Sequence, residues 1–319
     1  FSNARPTAAL ALSCRVMSSI LKLNRSLYLY YMRKLLFLLN LLFIASAYAQ
    51  EPQAYALFDH SGKPTSYAAM MDSLSRADVV FFGEMHNCPI THWMEQNVLQ
   101  TLVDRFGKKV MVGAEMFESD NQLILDEYLQ RRISGERFEA ECRLWPNHST
   151  DYAPLLSIAY DNHLPFIATN VPRRYANAVK EHGLTWLDSL SRASRAYLPP
   201  LPIYVERDST AEKAFEVMGA MVQHSGKGHY VEAQALKDAA MAWSIAQNWQ
   251  PNTHFIHFNG SYHTDFRKGI IEQLLRYCPQ FRIALVTAVR QESIEALDEV
   301  QLGRSDFYIC VPETMNTSY

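Results

Sequence analysis

The chain has 319 residues, 48% of them apolar and 20% charged, with a formal net charge of −3 and no low-complexity tract. That is the balance of a globular protein, large enough for one generous domain or a domain carrying a sizeable insertion. Its acidity argues against nucleic acid or an anionic membrane surface as a partner.

Residues 1–31 contain no acidic residue and no clear pattern, and they read as an unfolded upstream extension. Met32-Arg33-Lys34 then precedes an apolar run over 35–44, broken only by Asn40, and Ala47-Tyr48-Ala49 follows. Basic, apolar and small-residue segments in that order predict a cleaved secretory signal over 32–49. The run is shorter than the roughly 20 residues that span a bilayer, so the mature chain is expected to be exported, periplasmic or membrane-associated, without a transmembrane segment. No cysteine follows the apolar run, and Cys14 is misplaced for lipidation, so a lipid anchor is not supported. Removing the six Lys and Arg of residues 1–49 takes the net charge to −9 for residues 50–319. Four widely spaced cysteines remain, Cys88, Cys142, Cys278 and Cys310. They form no zinc-finger spacing, but an oxidising compartment would allow one or two disulfides.

From here short apolar runs alternate with helical stretches, which predicts an α/β domain with a mostly parallel sheet covered by helices. Strands are expected over 79–82, 110–112, 165–168, 253–258, 281–286 and 306–310. The clearest helices are 91–106, with Met94, Val98 and Leu102 at four-residue steps, and 230–247, with an Ala-rich face. A further helix is expected on Phe266, Ile270, Leu274 and Tyr277. Residues 121–162 and 183–228 show helical patterns only and are expected to form a helical insertion, a smaller subdomain.

Ligands bind outside the carboxyl ends of parallel strands, and four polar clusters stand there. They are Gly83-Glu84-Met85-His86, Glu115, Asn170 and Gly260-Ser261-Tyr262-His263. A Gly at a strand end would let the backbone turn sharply over the sheet. Glu84, His86, Glu115 and His263 converging on one rim would supply an acid and base, or hold a divalent metal through Glu84, His86 and His263. His92 and Gln96 share a helix face and could reach the rim or face solvent; Gln234, Asp238 and Met241 align on another helix with the same ambiguity. His254 and His257 read as core or interface residues. Cys88 lacks the local signature of a nucleophile, no Gly-x-Ser-x-Gly elbow exists, and Gly226-Lys227-Gly228 lacks the strand and helix of a phosphate cradle.

Taken in order, these blocks resemble the ChaN-like haem-binding uptake proteins of the Tiki superfamily. The likeness runs over residues 77–286. It rests on Val79-Val80-Phe81-Phe82-Gly83-Glu84-Met85-His86, Gly113-Ala114-Glu115-Met116-Phe117-Glu118, Trp145, Tyr152-Ala153-Pro154-Leu155, Ile167-Ala168-Thr169-Asn170, Gln234 to Ala242 and Phe258-Asn259-Gly260-Ser261-Tyr262-His263. Asn87 departs from it, standing where an acid is frequent. The resemblance implies haem binding in iron uptake, with a homodimer sharing haem and outer-membrane haem transport components as partners. It implies a tyrosine as axial ligand, Tyr152 first and Tyr262 second, with His86 and His263 as further haem contacts. The superfamily also contains erythromycin-esterase-like enzymes and metal-dependent proteases. The alternative is therefore a metal-dependent hydrolase using Glu84, His86, Glu115 and His263.

Overall fold

The structure, a computed structural model, describes residues 28–34, 37, 53–205 and 229–318. The chain divides into two units, residues 1–53 and 54–319. In the first, residues 28–34 and 37 are helical. The expected upstream extension and signal lie almost wholly outside the described residues, and so does the Gly226-Lys227-Gly228 turn. Among the described residues no helix is long and apolar enough to cross a membrane.

The second unit is organised by seven strands: β1 (Ala56–Asp59), β2 (Val79–Glu84), β3 (Val110–Glu118), β4 (Phe166–Asn170), β5 (His254–Gly260), β6 (Ile283–Gln291) and β7 (Phe307–Pro312). They form one sheet in the order β1-β7-β6-β2-β5-β3-β4, parallel throughout except where β1 pairs antiparallel with β7. The helices are α1 (Tyr67–Leu74), α2 (Pro89–Phe106), α3 (Gln122–Leu129), α4 (Gly135–Glu141), α5 (Ala153–Asn162), α6 (Arg173–His182), α7 (Arg192–Arg195), α8 (Tyr230–Asn248) and α9 (Ile270–Tyr277).

The unbroken apolar strands follow from burial on both sides, the rule for parallel sheets. Because side chains alternate along a strand, Val80, Phe82, Val112, Ala114, Ile256 and Phe258 join one core with α1 to α5. Val79, Phe81, Met111 and Phe255 join a second core with α8 and α9. Helices α3 to α5, within the expected insertion, share the first core through Leu125, Phe138, Leu155 and Ala159. Beyond β4, α6 and α8 bury a smaller cluster of their own around Tyr175, Val179, Leu236 and Ala240.

Four elements differ from the sequence reading. Strand β1 and helix α1 were not expected; β1 is only four residues long and sits at the sheet edge, too short for alternation to register. Strand β3 runs on to Glu118, with a register shift against β4 between Ala114 and Glu118. The helix after β5 begins only at Ile270, because Phe266 adopts φ 57° and lies in a separate 3-10 turn. Cys88, Cys142, Cys278 and Cys310 are free, so no disulfide forms among the described residues.

Phe255 is fully buried in the second core. Phe255→Ala is expected to lower the unfolding free energy by ~3–5 kcal/mol through lost transfer energy and a residual cavity. Urea denaturation of the purified variant measures this; a change under ~1 kcal/mol would contradict the packing described.

Candidate functional site

The order β2-β5-β3-β4 makes neighbours of the four strands whose ends carry the predicted polar clusters. Glu84 closes β2, Gly260 closes β5, Asn170 closes β4, and Glu115 lies at the register shift of β3. The two glycines serve close approach rather than a sharp turn. A Cβ at Gly83 would sit 2.9 Å from the Ser261 backbone, and one at Gly260 would sit 2.7 Å from His86 Nε2. The two Gly-x-x-His elements are thus packed against each other, and each needs the other's glycine to be bare.

The first carboxylate is Glu84, which is 2% exposed. Its Oε1 accepts from His86 Nδ1 at 2.5 Å and from the Tyr152 hydroxyl at 2.8 Å. Burial alone would raise its pKa, but the bonds and the positive neighbours outweigh burial and hold the carboxyl below its usual range. The His86 imidazole is raised, burial being overcome by the bond to Glu84 and its charge. Its side chain remains 37% exposed and sits edge-on to Trp145, with ring centroids 5.0 Å apart.

The second group centres on His263, buried on the 3-10 turn after β5. Its Nδ1 donates to Asp238 Oδ1 of α8 at 2.5 Å, and its Nε2 faces Glu115 Oε1 at 3.2 Å. Glu115 Oε2 accepts from the Gly260 backbone N–H at 2.9 Å, and Asn170 Nδ2 donates to the Glu115 carbonyl. Burial would lower the His263 pKa, but the Glu115 and Asp238 charges push it up to about 10. The resulting imidazolium holds Glu115 well below the ordinary carboxylate range against its own burial.

Both groups line one pocket of about 470 Å³, together with Met85, Trp145, Val171, Arg173, Gln234, Lys237 and Tyr262. Of the residues singled out in the sequence, Glu84, His86, Glu115, Asn170, Gln234, Tyr262 and His263 therefore meet, and Asp238 backs them. Tyr152 does not face this pocket. It is 1% exposed beneath Glu84, and burial with the adjoining Glu84 and Glu95 charges pushes its phenol far up. The expected metal set of Glu84, His86 and His263 is also not assembled. Both nitrogens of His263 are directed at carboxylates, and among the described residues the ligand atoms that do converge are those of Glu84, His92 and Glu95.

His92 is buried rather than solvent-facing, and Gln96 is half-buried away from the pocket. Met241 belongs to the second core. His257 is a core residue bonded to Thr169 and Asn259, and His254 stacks on Phe106 at 3.7 Å. Cys88 is buried at the start of α2, away from the pocket. Sequence reasoning missed Glu95, Asn147 and Asp151. Glu95 carried a legible signal: an acid three residues after His92, next to Met94 on the apolar side of α2.

The profile of the haem-binding uptake proteins of the ChaN type, Tiki superfamily, matches residues 70–274. The chain belongs to this family. Among solved structures, ChaN of Campylobacter jejuni, described with cofacial haem binding, superposes with a TM-score of 0.61 at 21% identity over 82% of this chain and 98% of that one. That likeness supports the ChaN fold. An erythromycin esterase mutant in an open conformation aligns over 82% of this chain and 83% of its own at 12% identity, with a TM-score of only 0.43. Protein RETICULATA-RELATED 5, chloroplastic, of Arabidopsis thaliana is 27% identical over 135 residues. That match takes in 40% of this ChaN-family chain and 18% of the relative, so the chain corresponds to under a fifth of the plant protein.

The charge of His263 can be read as a stability profile. Its folded pKa, about 10, lies above the ordinary histidine value of 6.5, so its contribution is fully present below the unfolded value and is lost as pH rises towards 10. Unfolding free energy should therefore fall between pH 7 and 10, and His263→Gln should flatten that limb. An unchanged alkaline limb in the variant would show that His263 is not held as the cation.

Proposed function

We propose that this chain is an exported protein that binds haem or a related porphyrin for iron uptake, with the porphyrin held in the pocket beside His86. The observation that carries the reading is the donor set on an otherwise largely apolar wall. A porphyrin requires flat apolar contact, one axial donor and cations for its carboxylates. Trp145, Met85, Val171 and Tyr262 line the wall, and Arg173 and Lys237 stand on the same pocket. The pocket volume, about 470 Å³, falls within the roughly 300–1,000 Å³ common for cofactor sites.

His86 is the donor the geometry favours. Glu84 fixes its Nδ1, so the ring is oriented and made more basic at Nε2, as in carboxylate–histidine–metal arrangements. Bound haem would supply an iron centre, which His86 would hold through that nitrogen. Tyr262 is the second candidate, but burial and the Asp238 charge raise its phenol and disfavour the phenolate that ferric iron prefers. His263 is engaged by Glu115 and Asp238, and its role is to keep the adjoining wall charged and rigid. The segment over 32–49 supports export in this reading, with outer-membrane haem transport components downstream and a second copy of the chain sharing haem.

An absorbance titration with hemin tests this. The parent should give a saturable, sharpened Soret band, and His86→Ala should shift that band and weaken affinity at least tenfold. Size-exclusion chromatography of the same samples should show a hemin-dependent dimer. A free-hemin spectrum throughout would sink the reading. A tyrosinate spectrum lost only in Tyr262→Phe would move the ligand to Tyr262.

A second reading is favoured by one observation, the presence of two carboxylate–imidazole pairs on the same pocket. Glu84–His86 could act as a general base on water and His263 as a proton donor or an electrostatic stabiliser, giving a hydrolase. Ester turnover that disappears in both His86→Ala and His263→Ala, in a chain that ignores hemin, is the result expected of that reading.

A further inference from the structure

Below the pocket floor, the far oxygen of Glu84 joins a second cluster whose other members, His92 and Glu95, neither reading of the pocket uses. Glu84, His92 and Glu95 are 2%, 2% and 0% exposed, and one ligand atom from each lies within 4.8 Å of the others. His92 Nε2 is 3.1 Å from the His86 carbonyl oxygen, which can only accept, so the proton belongs on Nε2. Asp151 Oδ2 lies 3.5 Å from the same nitrogen and accepts from Asn147 Nδ2, which strengthens that assignment. In the neutral ring Nδ1 is then a bare lone pair. It points at Glu95 Oε2, 2.9 Å away, and at Glu84 Oε2, 3.6 Å away.

Three acceptors therefore face one another in the interior. Two further observations sharpen the point. Glu84 Oε2 and Glu95 Oε1 are buried and receive no donor. Among the described residues, no lysine or arginine pairs with Glu84, Glu95 or Asp151. Buried carboxylates in this state are strongly unfavourable unless a proton or a cation joins them; burial and the Glu84 charge push the Glu95 carboxyl well up, and a cation would fill the same gap.

We propose that Glu84, His92 and Glu95 bind one divalent first-row transition ion as a closed site beneath the pocket. Two edges of this cluster, 2.9 and 3.6 Å, bracket the separation of about 3–3.5 Å expected for atoms sharing an ion some 2.1 Å away. One imidazole with two carboxylates is a donor set suited to zinc or manganese. The surrounding bonds match those that orient metal ligands. The His86 carbonyl and Asp151 fix the ring of His92, while Tyr152 and His86 occupy the other oxygen of Glu84. The ion would tie the end of β2 to α2, and through Glu84 it would fix the ring of His86. Being closed from solvent, the site holds structure and leaves the pocket free. It does not depend on what the pocket binds.

The full chain, stripped with chelator and dialysed, is titrated calorimetrically with Zn²⁺ and with Mn²⁺. One ion per chain is expected for at least one of the metals, with a higher melting temperature. Glu95→Gln should abolish binding, Tyr152→Phe should weaken it about 10–100-fold, and His263→Gln should retain it. X-ray absorption on the metal-loaded parent, which needs no variant to fold, should show a shell with a single imidazole. Absence of saturable binding by either ion would overturn the proposal in favour of a bridging proton. A two-imidazole shell, or binding lost in His263→Gln and kept in Glu95→Gln, would overturn it in favour of a pocket metal. Hemin titration reads the pocket separately, so neither result is confused with failure of haem binding.

Discussion

Glu84 is a carboxylate placed where water cannot reach it, and the surrounding structure is arranged to keep it charged. It ends β2, the middle strand of the sheet, and its two oxygens divide the work. One accepts from His86 and from Tyr152. The other faces His92 of α2. A charge buried at this depth persists only where donors or cations compensate its lost hydration. The compensation here is drawn from the loop after β2, from α2 and from the turn before α5. Three separated parts of the chain are thereby tied to one strand end, and the orientation of the half-exposed His86 ring is the outcome.

The same logic is repeated across the sheet with the sign reversed. His263 is the buried cation between Glu115 and Asp238, carried by β3 and α8. The two groups meet because β5 lies between β2 and β3. Their contact leaves no room for a side chain on Gly83 or Gly260. A charged rim on parallel strand ends, with Trp145 against His86 and Tyr262 against His263, is a site with fixed polar orientation beside apolar surface. Such a site suits a flat, amphipathic cofactor.

Much of this was legible in the chain because parallel strands announce themselves as apolar runs and their carboxyl ends collect polar residues. Glu84, His86, Glu115 and His263 were each placed at a strand end from sequence and do share a pocket. What sequence could not supply was strand order. Nothing in residues 253–258 says that this strand inserts between 79–84 and 110–118, and the pairing of the two Gly-x-x-His elements depends on it. Depth was the other missing quantity. Tyr152 sits in a block matching the family, and this made it a candidate ligand, but only the packing of α5 and the turn before it shows its hydroxyl spent on Glu84. His92 was ambiguous for the same reason, since periodicity gives a helix face but not what covers that face. Glu95, three residues further along, was hidden by the ordinary expectation that a glutamate on a helix points to water.

The claim that most depends on this arrangement is that Glu84 presents His86 to the iron of a bound porphyrin. A crystal structure of the hemin-loaded protein, with the iron located by its anomalous scattering, tests it most directly. The account predicts one iron in the pocket at bonding distance from His86 Nε2, with Glu84 still bonded to Nδ1 and the porphyrin against Trp145. Iron bound by a tyrosine away from this pocket, with the Glu84–His86 pair untouched, would contradict it.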